Sequence, residues 1–142
     1  MKIRISICIA LILALMPLRL PVIAEQGDPG PEVHPEYIYM TSIIADLSIS
    51  SGTASCYGSC YGNSGSTTIS VTVKLQRSSD GNTWTTKKTW TASGQGSSIV
   101  HTGGTYSVPS GYKYRAYVKA TVKDANGHVL ESGIRTYETD YY

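Results

Sequence analysis

The sequence has 142 residues, of which 41% are hydrophobic and 15% charged, and its 12 Lys+Arg and 10 Asp+Glu give a formal net charge of +2. This length allows one domain with a modest core, and so small an excess of basic residues argues against a nucleic-acid-binding protein, which needs a basic patch on its folded domain. Phe is absent while Tyr occurs 11 times, and abundant Tyr, Thr and Val favour β-strands.

The first 24 residues have the layout of a secretory signal peptide. Lys2 and Arg4 supply a positive start, an apolar run follows at residues 5–16, and Ala24 precedes Glu25 at the expected cleavage point. The alternative is an uncleaved membrane anchor, but the run is shorter than the roughly 18 to 20 apolar residues that a span needs. Cleavage removes three of the 12 basic residues and no acid, which leaves nine against ten, a net charge of −1. The sequence therefore predicts a secreted, extracellular protein with no membrane span after cleavage and no nucleic-acid partner.

Residues 25–36, EQGDPGPEVHPE, contain three prolines, two glycines and four acids. This composition predicts a flexible leader, followed by a single β domain at residues 37–142.

Apolar and polar residues alternate with a period of two along the predicted domain. In the third strand, Ile69, Val71, Val73 and Leu75 alternate with Ser, Thr, Lys and Gln, as in a strand with one buried and one solvated face. Glycine- and asparagine-rich turns separate such segments. The pattern predicts about seven strands, at residues 40–50, 53–61, 67–77, 83–92, 97–101, 112–123 and 128–139. We therefore expect an all-β fold, an immunoglobulin-like or fibronectin type III-like antiparallel β-sandwich.

The segment VPSGYKY, residues 108–114, resembles the entry to the sixth strand of fibronectin type III domains. In that family a Tyr six positions after the apolar residue bonds back to the loop backbone, forming a tyrosine corner. The resemblance implies this structural role for Tyr114.

The run RSSDGNTW, from Arg77 to Trp84, joins the third and fourth predicted strands. Asp80-Gly81 is a strong hairpin signal, because Gly tolerates positive φ and Asp accepts nearby backbone N–H groups. The run also resembles the Asp-box of sialidases, Ser-x-Asp-x-Gly-x-Thr-Trp, without the spacer between Asp and Gly. That box is a fold element remote from the chemistry, so we expect structural roles for Asp80 and Gly81.

Cys56 and Cys60 are the cysteines of the predicted mature chain. Secretion favours a disulfide, but residues four apart in a strand lie about 13 Å from each other, beyond the roughly 7 Å between Cα atoms that a disulfide allows. Two interpretations remain open: a strand with two buried thiols, or a turn at Gly58 that closes a local disulfide. Too few His and Cys accompany them for a zinc site, so no metal or cofactor is predicted.

No set of catalytic residues emerges from the sequence. Carboxylates are scattered, no Ser stands in a Gly-x-Ser-x-Gly motif and no phosphate-binding loop is present, so we do not expect an enzyme. Aromatic residues are the remaining candidates for ligand binding. Trp84 and Trp90 share a parity on one predicted strand, and Tyr57, Tyr61 and Tyr117 fall on faces predicted to be solvated. These residues either stack on sugar rings or, for the tryptophans, cap the core while the tyrosines pair across strands.

The runs LSISSGTASC, ISVTVKLQRSSDGNTW, YSVPSGYKYRAYVKATV and ESG resemble a family of small secreted proteins of clostridial-type Gram-positive bacteria. The resemblance implies a secreted β-sandwich, carries over no site residue, and favours an inward-facing position for Cys60. We expect a non-enzymatic extracellular or cell-surface interaction module, whose partner is a cell-wall glycan or a surface protein. The alternatives are a carbohydrate-binding module that uses the aromatic residues and a structural protein that self-associates through edge strands.

Overall fold

The computed structural model describes residues 37–65 and 67–142, so the predicted signal peptide and the predicted leader lie outside the described residues. Within this part of the chain there are seven strands and no helix, and hence no helix that could span a membrane. The strands are β1 (Met40–Ser50), β2 (Thr53–Gly62), β3 (Thr68–Ser78), β4 (Thr85–Gln95), β5 (Ile99–Ser107), β6 (Lys113–Lys123) and β7 (Val129–Glu138).

The strands form two antiparallel sheets, one in the order β1-β2-β5 and one in the order β4-β3-β6-β7. Within a sheet, β1–β2, β3–β4 and β6–β7 are consecutive neighbours, whereas the chain crosses between the sheets after β2, β4 and β5. The prediction of an all-β fold with seven antiparallel strands in a sandwich is confirmed.

The core lies between the sheets and is supplied by alternate residues of the central strands. Each buried Val, Leu or Ile contributes about 1.5–3 kcal/mol to stability. The central strands β3 and β6 provide most of the four-stranded sheet's share, and β2 provides small side chains opposite them. The fully buried residues of these three strands are Ala54, Cys56, Cys60, Ile69, Val71, Val73, Leu75, Tyr114, Ala116, Val118, Ala120 and Val122.

Gly58, in the middle of β2, allows the two sheets to approach each other closely. A Cβ at this position would lie 2.5 Å from Cγ2 of Val118 and 2.8 Å from Cγ2 of Val73, both on the opposite sheet. These distances are shorter than van der Waals contact, so a larger residue here would force the sheets apart.

β5 is longer than predicted, because Gly103 and Gly104 lie inside the strand rather than in a turn. Both glycines make room for neighbours. A Cβ on Gly103 would lie 2.2 Å from the carbonyl oxygen of Cys56, and one on Gly104 would lie 2.8 Å from Nε1 of Trp90. The Gly-Gly pair resembles a turn signal in the sequence, but in the structure both glycines lie within a strand, where neighbouring atoms approach the backbone closely.

The Asp80-Gly81 segment forms a tight hydrogen-bonded turn between β3 and β4. The carboxylate oxygen Oδ1 of Asp80 accepts the backbone N–H groups of Asn82 and Thr83, each at 2.8 Å, and the hydroxyl of Ser78 at 2.8 Å. The N–H of Gly81, whose φ is +75°, donates to the hydroxyl oxygen of Ser78 at 2.8 Å. These hydrogen bonds, that of Thr83 first, hold the pKa of Asp80 well below its ordinary value of 3.8.

Replacing Asp80 by Ala should lower the free energy of unfolding, and the loss should depend on pH. Because the folded state depresses this pKa, the carboxylate stabilises the fold above pH 3.8, and that contribution disappears as the pH falls below it. Urea denaturation at neutral and acidic pH should show the Asp80→Ala difference shrinking in acid. Asp140→Ala is the matched control, and an equal difference for Asp80→Ala at every pH would contradict the assignment.

Tyr114, at the start of β6, is fully buried, and its hydroxyl donates to the backbone carbonyl oxygen of Pro109 at 2.6 Å. This is the hydrogen bond that a tyrosine corner makes. It ties the loop after β5 to the first residues of β6, because the donor and the acceptor are only five residues apart.

Removal of this hydroxyl in Tyr114→Phe should lower the free energy of unfolding by about 1 kcal/mol, the net value of one hydrogen bond. Tyr112→Phe keeps the ring that stacks on Arg77 and removes a hydroxyl with no hydrogen-bond partner among the described residues, so it serves as the control. Chemical denaturation monitored by tryptophan fluorescence measures both variants. Equal stabilities would show that the corner contributes nothing.

Candidate functional site

The five aromatic candidates do not share one surface. Tyr57 and Tyr61 lie on the outer face of the three-stranded sheet, where both are exposed. Tyr117 lies on the outer face of the four-stranded sheet, 5.8 Å from Nζ of Lys74 to its ring centre. Trp84 lies over that same outer face, and Trp90 packs against the core.

A β-bulge separates the two tryptophans. Leu75 of β3 pairs with Lys88, but the next residue, Gln76, pairs with Thr86, so Lys87 has no partner in the ladder. A bulge of one residue reverses the alternation of side chains beyond it. The expectation that Trp84 and Trp90 lie on the same face of one strand is therefore wrong.

Trp90 closes the gap between the edge strands β4 and β5. It pairs with the buried Val73 on β3, and its indole covers Gly104 on β5. The sequence left open whether the tryptophans stack on sugar rings or cap the core; Trp90 caps the core.

Trp84 is held in a cluster around Arg115. The guanidinium carbon of Arg115 lies 4.3 Å from the Trp84 ring centre, its Nε donates to Oε1 of Gln76 at 2.7 Å, and its Nη1 lies 3.6 Å from Oε1 of Glu138. The two polar contacts fix the Arg115 side chain on the surface, and its cation–π contact holds the Trp84 ring beside it. The Trp84 ring is therefore already engaged in a contact within the protein.

A shallow depression of about 210 Å³ lies on the outer face of the three-stranded sheet. Strand pairing builds it from two adjacent rows. Ile44, Ser59 and His101 form one row across β1, β2 and β5, and Asp46, Tyr57 and Gly103 form the next. The backbone of Gly58 completes the lining.

Tyr57 lies across the surface of β5, where a glycine faces it. A Cβ on Gly103 would come within 2.7 Å of Cδ1 of Tyr57, and Gly103 has a φ of +146°, which other residues rarely adopt. The glycine gives the ring room to lie at the wall of the depression. An exposed aromatic face beside a concave surface is suited to stacking on a flat ligand.

The polar side chains of the depression are not engaged elsewhere. Asp46, Ser59 and His101 make no side-chain hydrogen bond or ion pair with any other part of the described chain. They offer a carboxylate acceptor, a hydroxyl and an imidazole, which together can bind hydroxyl or amide groups of a ligand. The site can therefore bind a polar ring against Tyr57 and Ile44.

A third row, Ser42, Tyr61 and Ile99, extends this surface. Seven side chains of these rows form what we name the Tyr57 face: Ile44, Asp46, Tyr57, Ser59, Tyr61, Ile99 and His101. Sequence reasoning identified Tyr57 and Tyr61 but missed the others. The alternation placed Ser59 on the outer face, and only the pairing of β2 with β1 and β5 brings Ile44, Asp46 and His101 beside it.

Cys56 and Cys60 are free, fully buried thiols in an uninterrupted strand. The buried-thiol alternative is therefore the correct one, and the local disulfide is not formed. Burial raises the pKa of Cys56 to about 12, with a smaller contribution from the charge of Asp46, and burial raises the pKa of Cys60 to about 11. Across residues 37–65 and 67–142, no group of three His, Cys, Asp or Glu residues is placed to hold a metal ion.

The two thiols should resist alkylation in the folded protein and react after unfolding, because the thiolate is the nucleophile and burial suppresses it. Mass spectrometry after iodoacetamide treatment at pH 8 should find Cys56 and Cys60 unmodified without denaturant and fully modified in urea. A Ser59→Cys variant, with its thiol in the depression, is the reactive control. Rapid labelling of native Cys56 or Cys60 would contradict their burial.

The sequence matches no protein-family model and no curated protein.

Proposed function

We propose that the protein is a secreted, non-enzymatic interaction module that binds an extracellular glycan through the Tyr57 face. The observation that supports this proposal is the depression itself. An exposed tyrosine lies there beside polar side chains that have no hydrogen-bond or ion-pair partner within residues 37–65 and 67–142. Secretion is supported by the signal-peptide layout of residues 1–24 and by the resemblance to small secreted clostridial-type proteins.

The apolar residues of the Tyr57 face support an interaction surface. Ile44 and Tyr57 are each 46% exposed and Ile99 is 54% exposed, and strand pairing places them in adjoining rows with Tyr61. Scattered exposed apolar residues are normal, whereas a contiguous group marks a binding site. This concentration favours the Tyr57 face over the outer face of the four-stranded sheet, where Lys74 and Lys119 flank Tyr117.

The mixture of groups favours a carbohydrate over a purely apolar ligand. Tyr57 and Tyr61, four residues apart on one strand, are separated by about 13 Å along β2. Ser59 lies between them, and Asp46 and His101 lie on the neighbouring strands. Tyrosine rings can stack on the C–H faces of sugar rings while carboxylate, hydroxyl and imidazole groups bind their hydroxyls.

Binding without catalysis is supported by the chemistry of the lining. A glycosidase needs two carboxyl groups on either side of the scissile bond, about 5 to 10 Å apart. The lining of the depression contains one carboxylate, Asp46. A single acid at a shallow, open surface suits recognition rather than hydrolysis.

We also propose that the β-sandwich is of the fibronectin type III-like kind. The Tyr114–Pro109 hydrogen bond and the seven-stranded arrangement support a fibronectin type III-like sandwich. Domains of this architecture use a rigid framework to present binding surfaces, and here the framework presents the outer face of β1, β2 and β5.

Binding should be lost when Tyr57 is truncated. The experiment is a pull-down of residues 25–142 on insoluble peptidoglycan, chitin and cellulose. We expect wild type to be retained by one polymer, with Tyr57→Ala weakening retention about fivefold, since stacking of an aromatic ring contributes about 1 kcal/mol. Tyr117→Ala, which removes the same side chain from the other outer face, should bind as wild type does.

Circular dichroism must show both variants folded. Retention of Tyr57→Ala equal to wild type, or loss with Tyr117→Ala alone, would refute the Tyr57 face as the site. Failure of wild type to bind any polymer would refute glycan binding.

A further inference from the structure

The edge strand β7 carries the second concentration of exposed apolar residues. Val129, Leu130, Ile134 and Tyr137 are all exposed, and Ile134 is 53% accessible. β7 has ten residues and pairs with β6 on one side only. A long edge strand with apolar side chains is a template for pairing with another strand unless something covers it.

Hydrogen-bond alternation shows which backbone groups of β7 are free to pair. The N–H of Thr139 donates to the carbonyl oxygen of Tyr114 at 2.9 Å, and the register continues from there with Tyr137 opposite Ala116 and Gly133 opposite Ala120. In an antiparallel pair every second residue turns its N–H and C=O toward the partner. From Glu131 to Glu138 the odd-numbered residues therefore face β6, and the even-numbered residues present theirs at the free edge. A bulge at Leu130, where the register shifts from Glu131 opposite Val122 to Val129 opposite Lys123, ends this alternation.

We propose that β7 pairs with β7 of a second copy of this chain, antiparallel and centred on Gly133, which joins the two four-stranded sheets into one. In this register Ser132 lies opposite Ile134 of the second copy, and by symmetry this pair forms twice. Both residues are even-numbered, so their N–H and C=O groups meet at the shared edge.

Charge complementarity selects this register. Pairing about Gly133 places Glu131 opposite Arg135 of the second copy, and by symmetry it does so twice. Registers centred on Ser132 or Ile134 place Glu131 opposite Gly133 or Tyr137 and form no ion pair between facing residues.

Glu131 and Arg135 are both available for the contact. The Glu131 carboxylate accepts the N–H groups of Ile38, Tyr39 and Met40 at 2.9, 2.9 and 3.1 Å, and these bonds hold it at the edge of the sandwich. A carboxylate has about four acceptor positions, so one remains. Arg135 is exposed and has no carboxylate partner in the described part of the chain.

The chain's own leader is a poorer occupant of this edge. Residues 25–36 contain three prolines, which supply no N–H to a ladder. They also contain four acids and no Lys or Arg, so they offer nothing to pair with Glu131.

Cysteine pairs test the register directly. Ser132→Cys and Ile134→Cys are produced separately from residues 25–142 and oxidised alone and as a mixture. The Gly133-centred register predicts disulfide-linked dimers in the mixture only, because positions 132 and 134 face each other and neither faces itself. The native thiols are buried and do not compete. A linked dimer from Ser132→Cys alone or Ile134→Cys alone would overturn the register, and no link in any sample would overturn the pairing.

Sedimentation velocity of the unlinked protein tests the association itself. Wild type should dimerise with rising concentration, and Arg135→Glu should weaken the dimer about tenfold or more, because it places like charges opposite each other twice. Ile134→Lys should abolish it. Ile99→Lys is matched in exposure, 54% against 53%, but lies on the Tyr57 face, so it should leave the dimer intact. A wild type that stays monomeric, or a dimer lost in Ile99→Lys and kept in Ile134→Lys, would refute the proposal.

Discussion

The structure depends on the close approach of two sheets whose inner faces carry small and β-branched side chains. Gly58 on β2 lies against Val73 and Val118, and a single added Cβ would overlap both valines. With no Phe in the chain, Tyr114 is the largest fully buried side chain, and its hydroxyl needs a partner, which Pro109 supplies. A thin core of this kind leaves little tolerance for a change of register, because shifting one strand by one residue would replace its buried face with its polar face.

The same packing explains why the cysteines are buried and why the outer surface of β2 is exposed. Cys56 and Cys60 take inward positions on either side of Gly58, so their side chains belong to the core. The intervening residues of β2 must then point outward, and they include Tyr57, Ser59 and Tyr61. The proposed binding surface therefore lies on the opposite face of β2 from the core. The alternation that buries one set of β2 side chains also places two tyrosines on the outer face.

The two proposed interactions use different parts of one rigid framework and do not compete. The Tyr57 face belongs to the three-stranded sheet, and β7 is an edge of the four-stranded sheet. Pairing through β7 would give a two-fold dimer with one Tyr57 face on each copy. Two weak sites on one particle increase retention on a repeating polymer, since the second contact forms at high effective concentration. Self-association would in this way strengthen binding to an insoluble glycan without any further contact to the ligand.

Local sequence determined the strands, the inward-facing residues and the turns at Asp80-Gly81 and Tyr114, because alternation and turn chemistry involve residues a few positions apart. The bounds of β1, β2, β3, β6 and β7 follow the sequence pattern to within one residue. Tertiary structure decided what depends on pairing between distant segments. The bulge at Lys87 places Trp84 and Trp90 on opposite faces of the sheet. Gly103 and Gly104 lie within a strand, where the lack of a Cβ leaves room for Tyr57 and Trp90. His101 of β5 and Ile44 of β1 lie in one row only because both strands pair with β2. The periodicity of the sequence does not predict this row, since the row is set by the register between strands.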